Sequence, residues 1–404
     1  MTICIAGKND IAVNVLIHCI ENYQNLRIVT VCNKNDTGEN NWQRSLLWFS
    51  KKYNIETVNL EDLYEIKDLV FLSVEYDRIL KPEKFSTSRL FNIHFSLLPA
   101  YKGCHTSVLP ILHGMEETGV TFHRIDSGID TGEIIDQKKV SIKNSETSYD
   151  LYKKLIIVGT EIVINNLSSI LKGVERSKKQ EVCGSTYYSI KEIDYSSNTL
   201  NVNATAFQIQ NQIRAFCFRP YQLMKWKKYN YVECKILNKR SKDKPGTIYE
   251  DTEIHTIIST IDYDVKLYKD VLKKILRAIE LNNNAYAISL CESKKNINAQ
   301  DKSGKSPLTV AVENGNEEMI VFLISRGADL HVKDWNGTNL LEYATYRARN
   351  YGDWVIFRKL IELGLDISET NYSSISVSSI ILDLKRTSQI PIDIDRIIDV
   401  SINE

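Results

Sequence analysis

Two residues on one short apolar run are spaced to act on a common ligand. In FNIHFSLLP, residues 91–99, Asn92 and His94 stand two positions apart, so on a β-strand both side chains project from the same face. An amide N–H polarises a carbonyl oxygen, and a neutral imidazole takes up a proton near pH 7. A third group follows in GVTFHRIDSGIDTGEII, residues 119–135, where Asp130 lies between Gly128 and Gly132. Glycines there let backbone approach a ligand, and a carboxylate can orient an imidazole or a water. The trio suits carbonyl-group transfer without a metal or a covalent intermediate. The plainer alternative is a strand end carrying Asn92 and His94, with Asp130 in an Asx-turn.

The elements that must position these groups read as alternating strands and helices. TICIA, residues 2–6, is a strand ended by Gly7, and Asp10 is expected to cap a helix reaching about Glu21. The run LRIVTVC, a helix around 42–52, ETVNL at 56–60, a helix-like 61–67 and the buried-looking strand DLVFLSV at 68–74 continue the pattern. Such alternation implies a Rossmann-like α/β domain, with a mainly parallel sheet whose ligands bind beyond the carboxyl ends of the strands. After a helix at roughly 149–172 the composition changes to short strands around one helix at 205–216, a small and mostly-β second domain.

From about Leu267 the chain becomes helical and repeats. Asp301, Gly304, Leu308 and Ala311 recur 33 residues later as Asp334, Gly337, Leu341 and Ala344, a period and S-P-L core that resemble ankyrin repeats. Residues 282–301 look like the end of a preceding copy, and the second copy needs four extra residues near 349–353. Trp335 falls in the turn of the second repeat, as a binding-surface aromatic or as packing. The expected domains are 1–184, 185–265 and an all-α ankyrin domain at 266–370, with 371–404 as a cap or tail without a repeat.

Composition bounds the partners. Among 404 residues, 51 basic and 51 acidic side chains give zero formal charge, so no global positive field gathers nucleic acid or an anionic membrane. The N-terminus has no secretory pattern, and the most apolar window noted, IAVNVLIHCI, is too short to span a bilayer. Eight scattered cysteines, with no metal-ligand spacing, read as reduced core thiols in a cytoplasm. Cys104 reads as a packed thiol. The remaining histidines read as structural, with His123 near enough to Asp130 to watch.

NIHFSLLPAYKG and GIDTGEII resemble the signature of the formyltransferase family that uses 10-formyltetrahydrofolate, through Asn92, His94, Ser96, Leu98, Pro99, Asp130 and Gly132. The resemblance spans roughly residues 1–180. It implies that Asn92 hydrogen-bonds the formyl oxygen, that His94 handles the proton and that Asp130 holds His94 and a water. GKND at 7–10, SVEYDRILKPE at 73–83, RAFCFRPYQ and the ankyrin region resemble the bacterial branch acting on dTDP-linked amino-dideoxysugars. That implies dTDP-3-amino-3,6-dideoxyglucose as substrate, with the 4-amino isomer next, in O-antigen or other surface glycan synthesis. A scaffold with an inactive formyltransferase half is the alternative of another class.

Lys8 and Asn9 follow the first strand at the carboxyl end of the sheet, where a diphosphate can sit against the next helix. Glu75, Tyr76 and Arg78 follow the 68–74 strand at the same end, Glu75 or Tyr76 for a sugar hydroxyl and Arg78 for a phosphate. Arg219 and Tyr221 lie just after a helix, where an aromatic face can stack on a thymine ring. The competing fates are a solvated turn for Lys8, a surface ion pair for Arg78, and packing for Tyr221 and its neighbour Phe218. Backbone around Leu80 to Phe85, together with Ser96 and Gly132, is an implied folate contact by the resemblance alone. A homodimer and a second ligand or protein on the ankyrin region complete the expected partners.

Overall fold

The protein is described here by a computed structural model covering residues 1–386 together with 390, 391 and 394. The N-terminal part opens with β1 (Thr2–Gly7), α1 (Asn9–Asn22), β2 (Arg27–Cys32), α2 (Leu46–Lys52), β3 (Glu56–Thr57), β4 (Leu69–Val74) and β5 (Leu90–His94). It continues with β6 (Lys102–Gly103), α3 (Leu109–Leu112), β7 (Glu117–Arg124), β8 (Ile134–Ser141) and α4 (Ser148–Lys172). Seven strands form one sheet in the order β3-β2-β1-β4-β5-β7-β8. The first five run parallel, and β7 and β8 are antiparallel additions. Every residue of β1 and of β4 is buried, as a central parallel strand covered on both faces requires.

Several local expectations are corrected. Lys8, not Asp10, is the capping residue of α1, and Asp10 instead pairs with Arg44 at 2.6 Å. The helix expected from 42 starts only at Leu46, because the Ser45 hydroxyl accepts from the Trp48 N–H and fixes the first turn there. Residues 42–44 are thereby left in a loop. The helix-like 61–67 reduces to a 3-10 turn at Leu60–Leu63. The most apolar long segment is α4, which by length and composition alone could cross a membrane. It is instead packed on α1, β7 and β8, with its start fixed by a Thr147–Asp150 capping box.

The middle segment holds β9 (Tyr187–Tyr188), α5 (Ala206–Phe216), β10 (Met224–Trp226), β11 (Tyr229–Arg240), β12 (Ile248–Asp251), β13 (His255–Ile258) and β14 (Tyr263–Lys269). The last five strands form a sheet in the order β10-β11-β14-β13-β12. The chain divides into two compact units, Met1–Tyr249 with Ile257–Leu267, and Glu250–Thr256 with the residues from Tyr268 onward. Most of the mostly-β segment expected at 185–265 falls within the first of these units. Its helix α5 packs on α3, and buried Arg214 donates to the carbonyls of Lys143 at 2.8 Å and Glu146 at 3.4 Å.

The second unit contains α6 (Leu272–Glu280), α7 (Asn284–Leu290), α8 (Lys294–Ile297), α9 (Pro307–Asn314), α10 (Glu317–Ser325), α11 (Leu340–Tyr351), α12 (Val355–Glu362) and α13 (Val377–Lys385). Its core includes Leu308, Ala311, Leu341 and Ala344, the apolar positions of the 33-residue repeat. Asp301 and Asp334 each accept two backbone N–H groups of their own turns. Asn371 does the same with Ser373 and Ile375, and Ser374 takes the left-handed φ of 64° that Gly304 and Gly337 take at 88° and 81°. A repeat-like turn and one further helix, α13, thus follow residue 370, where a cap or tail is expected, with polar residues replacing the aspartate and glycine of the turn. The rest of the expected tail lies largely outside the described residues. Trp335 is half-buried, its Nε1 donating to the Lys302 carbonyl at 3.0 Å, so it ties neighbouring turns together.

Candidate active site

Strand pairing assembles the chemistry-bearing trio. β5 lies beside β7 with Asn92 opposite His123 and His94 opposite Thr121, and the β7–β8 connection returns Asp130 over that edge. Asp130 Oδ1 lies 3.4 Å from Asn92 Nδ2, and its Oδ2 lies 3.4 Å from His94 Nδ1. The Gly103 N–H donates to the same Oδ2 at 2.9 Å. His94 donates from Nε2 to the Tyr101 carbonyl at 2.7 Å, which leaves Nδ1 as the basic nitrogen of the neutral ring.

His123 is the residue that spacing only hinted at. With Nδ1 donating to the Arg124 carbonyl at 2.8 Å, its Nε2 accepts from Asn92 Nδ2 at 3.1 Å. That contact fixes which way the Asn92 amide faces. It leaves the longer contact to Asp130 as the N–H most easily released to a ligand.

Burial disfavours the charged form of His94, and although Asp130 and the Tyr101 carbonyl oppose this, the imidazole stays below its ordinary pKa. For Asp130, burial works against ionisation, yet the adjoining His123, the charge His94 carries when protonated and the Gly103 N–H outweigh it and bring the carboxyl down to about 2. At neutral pH the pair is therefore a neutral base facing a carboxylate, 7% and 12% exposed for the His94 residue and the Asp130 side chain. Burial pushes the Cys104 thiol up, with Asp130 adding to it, so no thiolate nucleophile is prepared here.

Backbone strain gathers at the same place. Nine described non-glycine residues have positive φ, and five are Asn9, Glu75, Tyr101, His105 and Asp130. Each such conformation costs about 1–3 kcal/mol and persists where the surroundings over-determine it, which favours functional sites.

A cavity of about 400 Å³ opens at the carboxyl ends of β1 and β4, lined among others by Lys8, Asn9, Trp42, Glu75, Tyr152 and Tyr221. The loop through Gly103 links it to the trio, because His105 also lines it. Asn9 Nδ2 and the Tyr152 hydroxyl each donate to Glu75 Oε2 at 2.6 Å. Burial raises the Glu75 carboxyl above its usual value despite these two donors and the nearby Lys8. Trp42 forms an aromatic wall, edge-on to Phe218 at 5.2 Å and Tyr221 at 5.0 Å between ring centres. Phe218 is 4% exposed and Tyr221 60% exposed, so the first packs and the second presents a face.

Other expected contacts are not brought to this place. Arg78 pairs with Glu61 at 2.8 Å on the surface, and Tyr76 packs toward Phe71; neither lines the cavity, and Arg219 does not either. The Leu80 and Phe85 side chains join the apolar cluster under β4, which leaves the backbone of that segment, the part expected to meet the folate, for a ligand. Ser96 is fully buried and donates to the Ala100 carbonyl at 2.6 Å, so it shapes the turn after β5. Gly132 is needed for close packing, since a Cβ there would fall 1.8 Å from the Arg124 carbonyl oxygen. Trp42, Gln43, Tyr152 and Tyr195 line the cavity without having been singled out in the sequence. Trp42 was concealed by its helical periodicity, and Tyr152 by lying 77 positions from Glu75.

Residues 2–167 match the family model described as "Formyl transferase", and residues 275–371 match "Ankyrin repeats (3 copies)". WlaRD, described as a sugar 3N-formyl transferase in the presence of dTDP and 5-N-formyl-THF, is 42% identical, with a TM-score of 0.62 over 67% of this chain and 97% of its own. The chain belongs to the sugar N-formyltransferases. The N-formyltransferase of Helicobacter canadensis, in complex with folinic acid and dTDP-3-aminofucose, is 40% identical, with a TM-score of 0.62 over 66% of this chain and 98% of its own. About a third of this sugar N-formyltransferase therefore has no counterpart in those two structures. Methionyl-tRNA formyltransferase of Staphylococcus aureus (strain MW2) is 27% identical over 216 residues, 52% of this chain and 69% of that protein.

Proposed function

We propose that this enzyme transfers a formyl group from 10-formyltetrahydrofolate to the amine of a dTDP-linked amino-dideoxysugar, with dTDP-3-amino-3,6-dideoxyglucose as the first substrate to test. The observation that carries the reading is the convergence of Asn92, His94 and Asp130, linked through the Gly103–His105 loop to an aromatic-walled cavity. The described ligands of WlaRD and of the Helicobacter canadensis protein support the choice of a dTDP 3-amino sugar. Bound folate would present its formyl carbon to the trio, and the chemistry is addition of the amine followed by departure of the folate nitrogen. Asn92 Nδ2 donates to the formyl oxygen as it gains negative charge. His94 Nδ1 takes the proton that the attacking nitrogen loses and returns it to the departing folate nitrogen. As that proton arrives, the imidazolium lies between the Asp130 carboxylate and the Tyr101 carbonyl, where low dielectric strengthens both contacts.

In the cavity, Trp42 and Tyr221 offer faces to a thymine ring, and Lys8 stands at the start of α1, where an anion is favoured. The substrate class carries a cytoplasmic setting and a supply of activated formamido sugar to glycan-assembling transferases. The test is incubation with 10-formyltetrahydrofolate and a panel of dTDP- and UDP-linked 3-amino and 4-amino sugars. Mass spectrometry should show one formyl group replacing hydrogen on a dTDP 3-amino sugar. Formylation confined to charged tRNA or glycinamide ribonucleotide overturns the sugar assignment.

A further inference from the structure

Beyond α4 the chain turns back along the loop that carries Asp130. Residues 175–180 are tied to that loop and its strands at four places. Glu175 pairs with Arg124, and the Ser177 hydroxyl donates to Glu133 Oε2 at 2.5 Å. Ile134 and Lys178 exchange two backbone hydrogen bonds, both 2.8 Å. Gln180 Nε2 then donates to the carbonyls of Asp130 and Gly132, at 2.8 Å each. Of these four ties, Gln180 alone reaches Asp130 itself.

The geometry is that of a clamp. Asp130 holds a left-handed φ of 54°, a conformation that needs support from both sides. Its carboxylate accepts from the Gly103 N–H and faces the two imidazoles, and its carbonyl accepts from Gln180. Both hydrogens of one planar amide nitrogen are used on carbonyls two residues apart, which closes the turn. The amide has a single workable orientation. Turned over, it would set Oε1 against two carbonyl oxygens, and as it stands Oε1 is buried without a partner among the described residues.

We propose that Gln180 is a positioning residue of this formyltransferase, clamping the Asp130–Gly132 turn so that the Asp130 carboxylate stays against His94. The role rests on the formyl-transfer reading above. Gln180→Leu removes both donors, and Gln180→Glu keeps the shape while placing an acceptor oxygen against the two carbonyls. Ser177→Ala loosens the same strap at a tie that does not touch Asp130.

Steady-state kinetics on the full chain, with whichever amine the parent enzyme formylates, should show kcat reduced on the order of 10–100-fold in both Gln180 variants, as small misplacements of a reacting group produce. KM for amine and folate should stay within about twofold, and Ser177→Ala should resemble the parent. The groups facing His94 are Asp130, His123 and the Tyr101 carbonyl. A loosened Asp130 raises the His94 pKa less, so the acidic limb of kcat should move to lower pH in both variants. Unchanged kcat, an unmoved limb, an equal loss in Ser177→Ala, or failure of both Gln180 variants to fold would each overturn the proposal. A parent active on an unexpected amine removes only the substrate assignment; a parent inert toward every amine removes the proposed function and this role together.

Discussion

At the residue scale the site works by opposing two protonation preferences within one hydrogen-bonded group. Asp130 is held ionised, and His94 is held neutral by burial although its carboxylate neighbour favours the cation. Asn92 supplies the N–H and is oriented by His123. Replacing Asn92 by Ala should lower kcat by ~10²–10³-fold, the usual consequence of losing one oxyanion donor, with modest change in KM. The pH dependence has a definite sign. In the proposed role His94 must be neutral to accept a proton, so activity should fall with acidification, along a limb that its lowered pKa puts below the ordinary imidazole value. Asp130 raises the His94 pKa, so Asp130→Asn should lower kcat and move the residual acidic limb further down. A limb moving up in a kcat–pH profile contradicts that electrostatic account.

At the element scale two loops matter more than the helices beside them. The Ser45 cap starts α2 late and frees Trp42 to wall the cavity. Trp42→Ala should raise KM for the nucleotide sugar about 10-fold while altering kcat less, since base–aromatic stacking contributes ~1–3 kcal/mol per base; titration with the sugar nucleotide measures this. In the repeat unit, Ser374 occupies the left-handed turn position that glycine holds in the two preceding repeats. Ser374→Gly relieves strain there of ~1 kcal/mol and should raise Tm by a few degrees in a thermal melt, leaving formyl transfer unchanged.

At the scale of the whole molecule, charge is balanced overall and concentrated only locally. With 51 residues of each sign, the chain offers no global field to draw in the proposed anionic sugar nucleotide, and its recognition would fall to short-range groups such as Lys8, which lines the cavity. Raising ionic strength from roughly 0.05 to 0.5 M should therefore lower kcat/KM by less than about threefold, whereas steered association is accelerated by ~10–10³-fold at low salt. A steep salt dependence in initial rates contradicts this. The ankyrin unit owes its core to apolar side chains recurring at a fixed period, each repeat burying the next.

The sequence by itself determined what is encoded within a few neighbouring residues. The two-residue spacing of Asn92 and His94 put both on one strand face, the apolar runs of β1 and β4 marked strands of a mainly parallel sheet, and the 33-residue period marked the repeats. Those features are local because strand alternation and turn chemistry act along the chain. Tertiary structure decided what depends on which distant segments meet: the antiparallel β5–β7 pairing that brings His123 to Asn92, the Tyr152–Glu75 bond across 77 positions, and the return of Gln180 onto the Asp130 turn. It also decided that Ser96 and Gly132 shape backbone. A side chain's exposure is set by what covers it, and the covering atoms come from elsewhere in the chain.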